Sequence, residues 1–408
     1  MTQGEPSETL PREPAQRTSC WKKPLLRLAL LACTLSGTLL VLEAATRLLT
    51  DTTPSLMERN PIVGQRFLPC FEGEVYDDEA GREVFLRFSR DGLRGPDRPR
   101  EKPAGIRRLA IFGDSMVASV GVDEADSMTA RLERMLNDRQ RGVRWEVLNC
   151  GVSGSSTGQQ MVLYREVVSQ YRPEIVLGAF FVGNDLCDNS CRLSSNPRIY
   201  FDLDASGNLV QLPFSAKRAI AGQWLNRHSR FYVWQKNAMN NARHRVSAGA
   251  GAISPGDWVF CSRESQDIAH AWQLTAALLA QFQREVENRG GRFAVVLVPS
   301  AMQVCDDCFQ ALVSNAREDS PYFDPLHPNR RLAEICRRAG IPLWPLTDDF
   351  RRAAPSADSR IVSERLFLKG VGHFNEQGSL VAARSIYRFL TEGDPERVAG
   401  VPLLESVR

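Results

Sequence analysis

Histidine is scarce in this chain, with 5 in 408 residues, and neither sign of charge dominates: 51 Lys and Arg stand against 48 Asp and Glu, a formal charge of +3. That near-balance removes the electrostatic footprint that nucleic-acid binding needs, and no basic stripe interleaved with aromatics replaces it. No internal repeat runs along the chain, which excludes solenoids and propellers. No histidine flanks the close pairs Cys187-x3-Cys191 and Cys305-x2-Cys308 at ligand spacing, so zinc is a poor reading of them, and no thioredoxin-like strand and helix frames the second pair. Neither a metal nor a cofactor is expected. At 43% hydrophobic and 24% charged residues, the chain is neither wholly disordered nor wholly membranous.

What is present begins at the N-terminus. Residues 1–23 read as a polar, Pro-rich disordered tail ending in Lys22 and Lys23. Residues 24–49 form an apolar segment, uncharged from Leu28 to Leu42, with Arg27, Glu43 and Arg47 near its ends. It is long enough to cross a bilayer with snorkelling flanks. Positive charge before it places the tail in the cytoplasm and the rest of the chain outside the cytoplasm. Two rivals fit less well. Glu43-Ala44-Ala45 is a poor signal-peptide cleavage site, and the apolar run continues well past the lipoprotein-like Leu30-Leu31-Ala32-Cys33. An oxidising compartment predicts local disulfides within the two close cysteine pairs, with Cys70 or Cys261 in further pairings.

Residues 50–105 read as a connecting region with short strands such as Glu83 to Phe88. From Arg107 the chain alternates strand and helix. Leu109 to Phe112 reads as a buried strand bounded by basic residues, followed by Gly113-Asp114-Ser115 and a helix over Ser127 to Gln140. Trp145 to Asn149 is a second strand, with a Gly- and Ser-rich turn around Gly154 and a helix from Gln159 to Tyr171. Ile175 to Val182 is a third, ending in Gly183-Asn184-Asp185. The rhythm breaks at about 187–264, read as a cap-like insertion with a helix near Ala219 to Asn240. It resumes with helix Gln266 to Asn288, strand Phe293 to Val298, helix Arg330 to Arg338 and strand Ile341 to Trp344. A last helix runs from Asn375 to Leu390, and residues 393–408 read as a tail. This pattern predicts an α/β fold, a three-layer α/β/α sandwich on a parallel sheet, with one N-terminal transmembrane helix before it.

Polar punctuation at the strand ends carries the chemistry. Gly113-Asp114-Ser115, Gly154, Gly183-Asn184-Asp185 and, before the last helix, Gly372-His373-Phe374-Asn375 stand in order. Each has an ordinary explanation alone: Ser115 and Asp114 as helix caps, Asn184 as a loop cap, Gly154 as a turn glycine, His373 as a helix-entry residue. Together they resemble the SGNH (GDSL-type) hydrolase family, in particular its bacterial membrane-anchored members, over roughly 106–190 and 266–392. The resemblance implies the flavodoxin-like SGNH fold over residues 106–392. It also implies that Ser115 is the nucleophile and His373 the base, with Ser115 N–H, Gly154 N–H and the Asn184 amide as the oxyanion hole. The substrate implied is an acyl ester, O-acetyl groups on an envelope or exported glycan included. An O-acyltransferase acting on such a glycan and a non-catalytic glycan- or partner-binding protein are the alternatives.

One departure from the family stands out. Its usual aspartate, two or three residues before the histidine, is replaced here by Val371 and Gly370. Asp348, Asp349, Glu364 or Glu376 could orient His373 in its place, or a main-chain carbonyl could. Otherwise the site is weakened or dead. Asp324-x-x-His327 fits the Asp-x-x-His pattern literally, but a helix and a strand follow it, whereas His373 precedes the final helix as the family's histidine does. His228, His244 and His270 read as surface or core residues, and Asp185 as the residue fixing the loop around Asn184.

Overall fold

The computed structural model describes residues 22–50, 52, 55–139, 143–194, 196–214, 217–248, 253–354, 364–368 and 372–392. The tail positions before residue 22 and after 392, and the Gly370–Val371 pair, lie outside the described residues. Two compact units are present, Met1–Thr52 and Thr53–Arg408.

The first unit contains helix α1 (Lys22–Leu49). Pro24–Leu49 within it has a mean hydropathy of 2.1 and is long and apolar enough to cross a bilayer. Its leucines, from Leu25 to Leu49, face outward.

The second unit is built on a five-stranded parallel sheet of β5 (Ile106–Gly113), β6 (Arg144–Gly151), β7 (Ile175–Phe181), β10 (Arg292–Val298) and β11 (Leu343–Pro345). Their order across the sheet is β11-β10-β7-β5-β6. Numbered by sequence within this sheet, the order is 2-1-3-4-5, the flavodoxin-like arrangement, whose direction reverses between β5 and β7. Ligands bind at the carboxyl ends of the strands at that switch point. The strands are apolar on both faces, as a doubly covered parallel sheet requires. One face carries α4 (Thr157–Glu166), α8 (Gln266–Glu287) and α11 (His327–Ala339) over Phe112, Val176 and Val295. The other carries α3 (Met128–Arg139) and α13 (Glu376–Thr391) over Ile111, Leu177 and Val296.

The first strand begins earlier than its apolar run suggests, at Ile106, and Arg108 lies inside it rather than at its boundary. Its guanidinium is fully buried and paired with Glu146 at 2.8 Å. It also donates to the carbonyls of Pro99, Arg100 and Tyr171. Arg108→Met leaves these acceptors unpaired and Glu146 with only Arg98, a change expected to cost about 3–5 kcal/mol. The urea midpoint checks it.

Residues 57–94 belong to the second unit rather than merely leading to it. They form two antiparallel hairpins, β1 (Met57–Asn60) with β2 (Gly64–Phe67) and β3 (Glu72–Asp77) with β4 (Arg82–Arg87). Phe67, Val84, Leu86 and Phe88 pack with Ala118, three residues beyond Ser115, in a third apolar cluster. The buried Arg94 guanidinium donates to the carbonyls of Ala118, Ser119 and Val122, clamping the segment after Ser115.

The helix expected near Ala219 to Asn240 is two helices, α6 (Lys217–His228) and α7 (Arg230–Ala248), separated at Ser229. None of the described cysteines forms a disulfide, so the expected local bridges are absent among them. Cys187 is buried and donates to the Pro255 carbonyl while Cys191 is exposed. The Cys305 sulfur accepts from the Cys308 N–H at the head of a helix.

Candidate active site

Ser115 follows β5 directly and opens the short helix α2 (Ser115–Ala118). Asp114 caps that helix, accepting from Met116 N–H at 2.9 Å, so the capping reading of the aspartate holds. Close packing sets the turn: a Cβ on Gly151, at the end of β6, would lie 2.3 Å from Ala118 N, so only glycine lets the end of β6 meet α2 there.

His373 arrives from the other end of the chain, on the loop before α13. Its carbonyl accepts from Leu368 N–H at 2.7 Å, and Phe374 stacks on Phe350 beside it. Its Nε2 lies 2.8 Å from Ser115 Oγ. On the far side of the ring, Nδ1 lies 2.6 Å from Glu79 Oε2. The carboxylate beside His373 is therefore none of the four weighed from the sequence. Asp349 is taken by Ser385, Arg352 and Arg388, and Glu376 by Arg82.

Glu79 sits in the turn between β3 and β4, where Asp77 Oδ1 accepts from the N–H groups of Glu79 and Ala80. Arg82, after the turn, pairs with Glu376 at 2.6 Å and Asp123 at 3.0 Å, tying the hairpin to the head of α13 and to the segment after Ser115. Glu79 and His373 are 294 positions apart. The one signal that could have found Glu79 was the demand itself: an unpartnered histidine needs a carboxylate from somewhere, and residues 77–79 are an acidic cluster next to a predicted strand.

The His373 pKa is raised above its ordinary value. Burial opposes the charge, but the hydrogen bond and charge of Glu79, together with the charges of Asp114 and Asp77, outweigh it.

Asn184 follows β7, so its position and that of Ser115 flank the switch point. Its Nδ2 donates to Asp188 Oδ2 at 3.0 Å, and Asp188 in turn pairs with Arg198 at 2.8 Å. Burial holds the Asp188 carboxyl above its usual range despite Arg198. Burial also raises Asp114, against the Met116 N–H, the His373 charge and the Asn184 amide. Asp185 is fully buried and accepts from Phe181 N–H at 2.7 Å. Burial and the neighbouring Asp114 push its pKa well up, and its bond to Phe181 braces this turn.

Gly154 lies in the turn after β6 with φ +67°, the left-handed region that glycine enters without strain. The turn is held from β2, where Gln65 donates to the Ser153 carbonyl at 2.5 Å.

Three other histidines are engaged elsewhere, and the side chain of His244 lies outside what the structure describes. His327 faces Glu264 at 3.3 Å, His270 faces Asp202 at 2.7 Å, and His228 packs on Trp224. Among the described residues no cluster of three His, Cys, Asp or Glu side chains could hold a metal ion.

No protein-family model and no curated protein matches the chain. Solved structures do. A lipase/acylhydrolase from Enterococcus faecalis aligns at 13% identity over 70% of this chain and 95% of its own, with a TM-score of 0.37. The acetyl xylan esterase AlAXEase aligns at 13% over 69% and 98%, with a TM-score of 0.37. A putative lipolytic protein of the G-D-S-L family from Desulfitobacterium hafniense aligns at 11% over 69% and 99%, with a TM-score of 0.33. These solved structures are described as a lipase/acylhydrolase, an esterase and a lipolytic protein of the G-D-S-L family, and the roles of individual residues rest on this chain's own geometry.

Proposed function

We propose that this chain is a membrane-anchored serine hydrolase of the SGNH type that cleaves acyl esters outside the cytoplasm through a Ser115–His373–Glu79 triad. The observation that carries the reading is the continuous relay from Ser115 Oγ through both nitrogens of His373 to Glu79, at 2.8 and 2.6 Å. A helix cap or a loop histidine needs no such relay, and it meets the orienting requirement that the missing aspartate left open.

The chemistry follows from those contacts. Glu79 holds the tautomer with hydrogen on Nδ1, leaving Nε2 to take the Ser115 proton as Oγ attacks the acyl carbon. The negative oxygen that develops is received by N–H groups. Among the described residues no intrachain acceptor takes the N–H of Ser115 or of Gly154, which leaves both for substrate. The Asn184 amide, with one N–H on Asp188, is the third donor we assign. His373 then protonates the departing alcohol, and water attacks the acyl-serine by the same route in reverse. Short acyl esters, O-acetyl groups on an envelope or exported glycan first among them, are the substrates to test. The same reading makes α1 a membrane anchor, with residues 53–408 on the extracytoplasmic side.

The pH profile tests the assignment. His373 must be neutral to act, and its pKa is raised, so the acid limb of p-nitrophenyl acetate hydrolysis is expected to fall above about 6.5. Stability runs the other way. A raised folded-state pKa contributes stability that is fully present below about 6.5 and lost as pH rises through the folded value. Absence of turnover at every pH would overturn the reading.

A further inference from the structure

Between Asp204 and Asp257 the chain has no acidic residue and seven Lys or Arg, more positive charge than the whole protein carries net. This stretch contains α6 and α7. Between residues 222 and 239 these helices also hold large apolar groups in the open: Trp224 is 66% exposed, Met239 50%, Trp234 45% and Leu225 37%. Arg227 and Lys236 are exposed among them. Exposed tryptophan together with exposed Lys and Arg in one helical pair suits a membrane interface, with rings at the headgroup level and cations on anionic lipid.

The chain tethers α6 to the end of α1 by a short covalent link. Ser55 N–H donates to the Asn226 carbonyl in α6 at 3.2 Å, and Arg59 N–H donates to Gln223 Oε1 at 3.3 Å. Ser55 comes six positions after Leu49, the last residue of α1. Six residues of extended chain reach about 20 Å at most. If α1 spans a bilayer, as the proposed function holds, α6 cannot be farther than that tether from the membrane face. A second copy of the chain is a poor occupant, because two such surfaces repel.

We propose that the α6–α7 pair rests on the anionic bilayer surface from which α1 emerges, with Trp224 and Trp234 in the interface. The contact holds the domain in one orientation on the membrane. The β1–β2 hairpin touches α6 from Arg59 in β1 and the Ser153 carbonyl beside Gly154 from Gln65, its cross-strand partner in β2, and so links the proposed lipid-facing helix to a catalytic turn.

Amide hydrogen exchange on the full chain in vesicles tests this. The chain is reconstituted in phosphatidylcholine alone, in phosphatidylcholine with about a third phosphatidylglycerol, and in neutral detergent. Flotation with both vesicle types reports α1. Peptides covering 222–239 are expected to exchange at least about fivefold more slowly in the anionic vesicles than in the other two, and to lose that protection as salt rises from about 0.05 to 0.5 M. Arg227→Glu with Lys236→Glu is expected to abolish the difference while flotation and p-nitrophenyl acetate hydrolysis stay at the parent level. Flotation without differential protection overturns the docking surface and leaves the anchor standing. Equal protection in detergent points to a second copy and also overturns it. Failure to float removes the anchor and the docking surface together.

Discussion

Ser115→Ala is expected to lower kcat for p-nitrophenyl acetate by about 10⁴–10⁶ while the thermal midpoint stays at the parent value. The large effect follows from the serine's position. Ser115 Oγ is 2.8 Å from His373 Nε2, the group placed to take its proton, and no second hydroxyl contacts that nitrogen among the described residues. The small structural effect follows from its contacts. Besides His373, Oγ makes only a marginal 3.5 Å approach to Asp114, and the helix cap belongs to the Asp114 side chain. Truncating Oγ therefore removes the nucleophile and leaves the turn. Steady-state kinetics beside a melting curve separate the two. A variant that hydrolyses the ester at the parent rate would exclude Ser115 as nucleophile.

Glu79→Gln is expected to lower kcat by about 10³–10⁴ with little change in KM. The glutamine is nearly isosteric, so the hairpin and the Arg82 contacts to Glu376 and Asp123 remain. What changes is electrostatic. A neutral amide no longer balances an imidazolium, and its NH₂ can donate to Nδ1. Donation there stabilises the tautomer with hydrogen on Nε2, which cannot act as base toward Ser115. Because Glu79 is the largest influence raising the His373 pKa, its loss also moves the acid limb of the rate profile to lower pH. A variant that loses activity through misfolding has no reason to shift that limb, so the pH profile separates a positioning role from a merely structural one.

The parts of the site legible in the sequence are those whose geometry is local. Ser115 is positioned by a strand, a glycine turn and a helix start within ten residues, and the apolar run of β5 announces them. Asn184 and Gly154 follow in the same way the two strands, β7 and β6, that flank β5 in the same parallel sheet. His373 was identifiable because the final amphipathic helix begins just after it. Glu79 is different in kind. Its turn between β3 and β4 has the polar composition of any hairpin turn, and only the packing of Val84, Leu86 and Phe88 on Ala118 brings it to the histidine. Burial of that tertiary kind leaves no period in the local sequence. The same limit explains Arg108, whose charge reads as a strand boundary until Glu146 and three carbonyls surround it. It also explains the cysteines. Their spacing suggests bridges, whereas the fold buries Cys187 and turns Cys191 outward.

The most direct test of the Ser115–His373–Glu79 relay is the rate at which a fluorophosphonate probe labels the protein as a function of pH, in the parent and in Glu79→Gln. The relay predicts one labelled residue, Ser115, located by peptide mass analysis. Labelling of the parent should rise with pH through a midpoint above about 6.5, and labelling of Glu79→Gln should be slower, with the midpoint displaced to lower pH. Labelling of the variant at the parent's rate with an unmoved midpoint, or labelling at a residue other than Ser115, would contradict it.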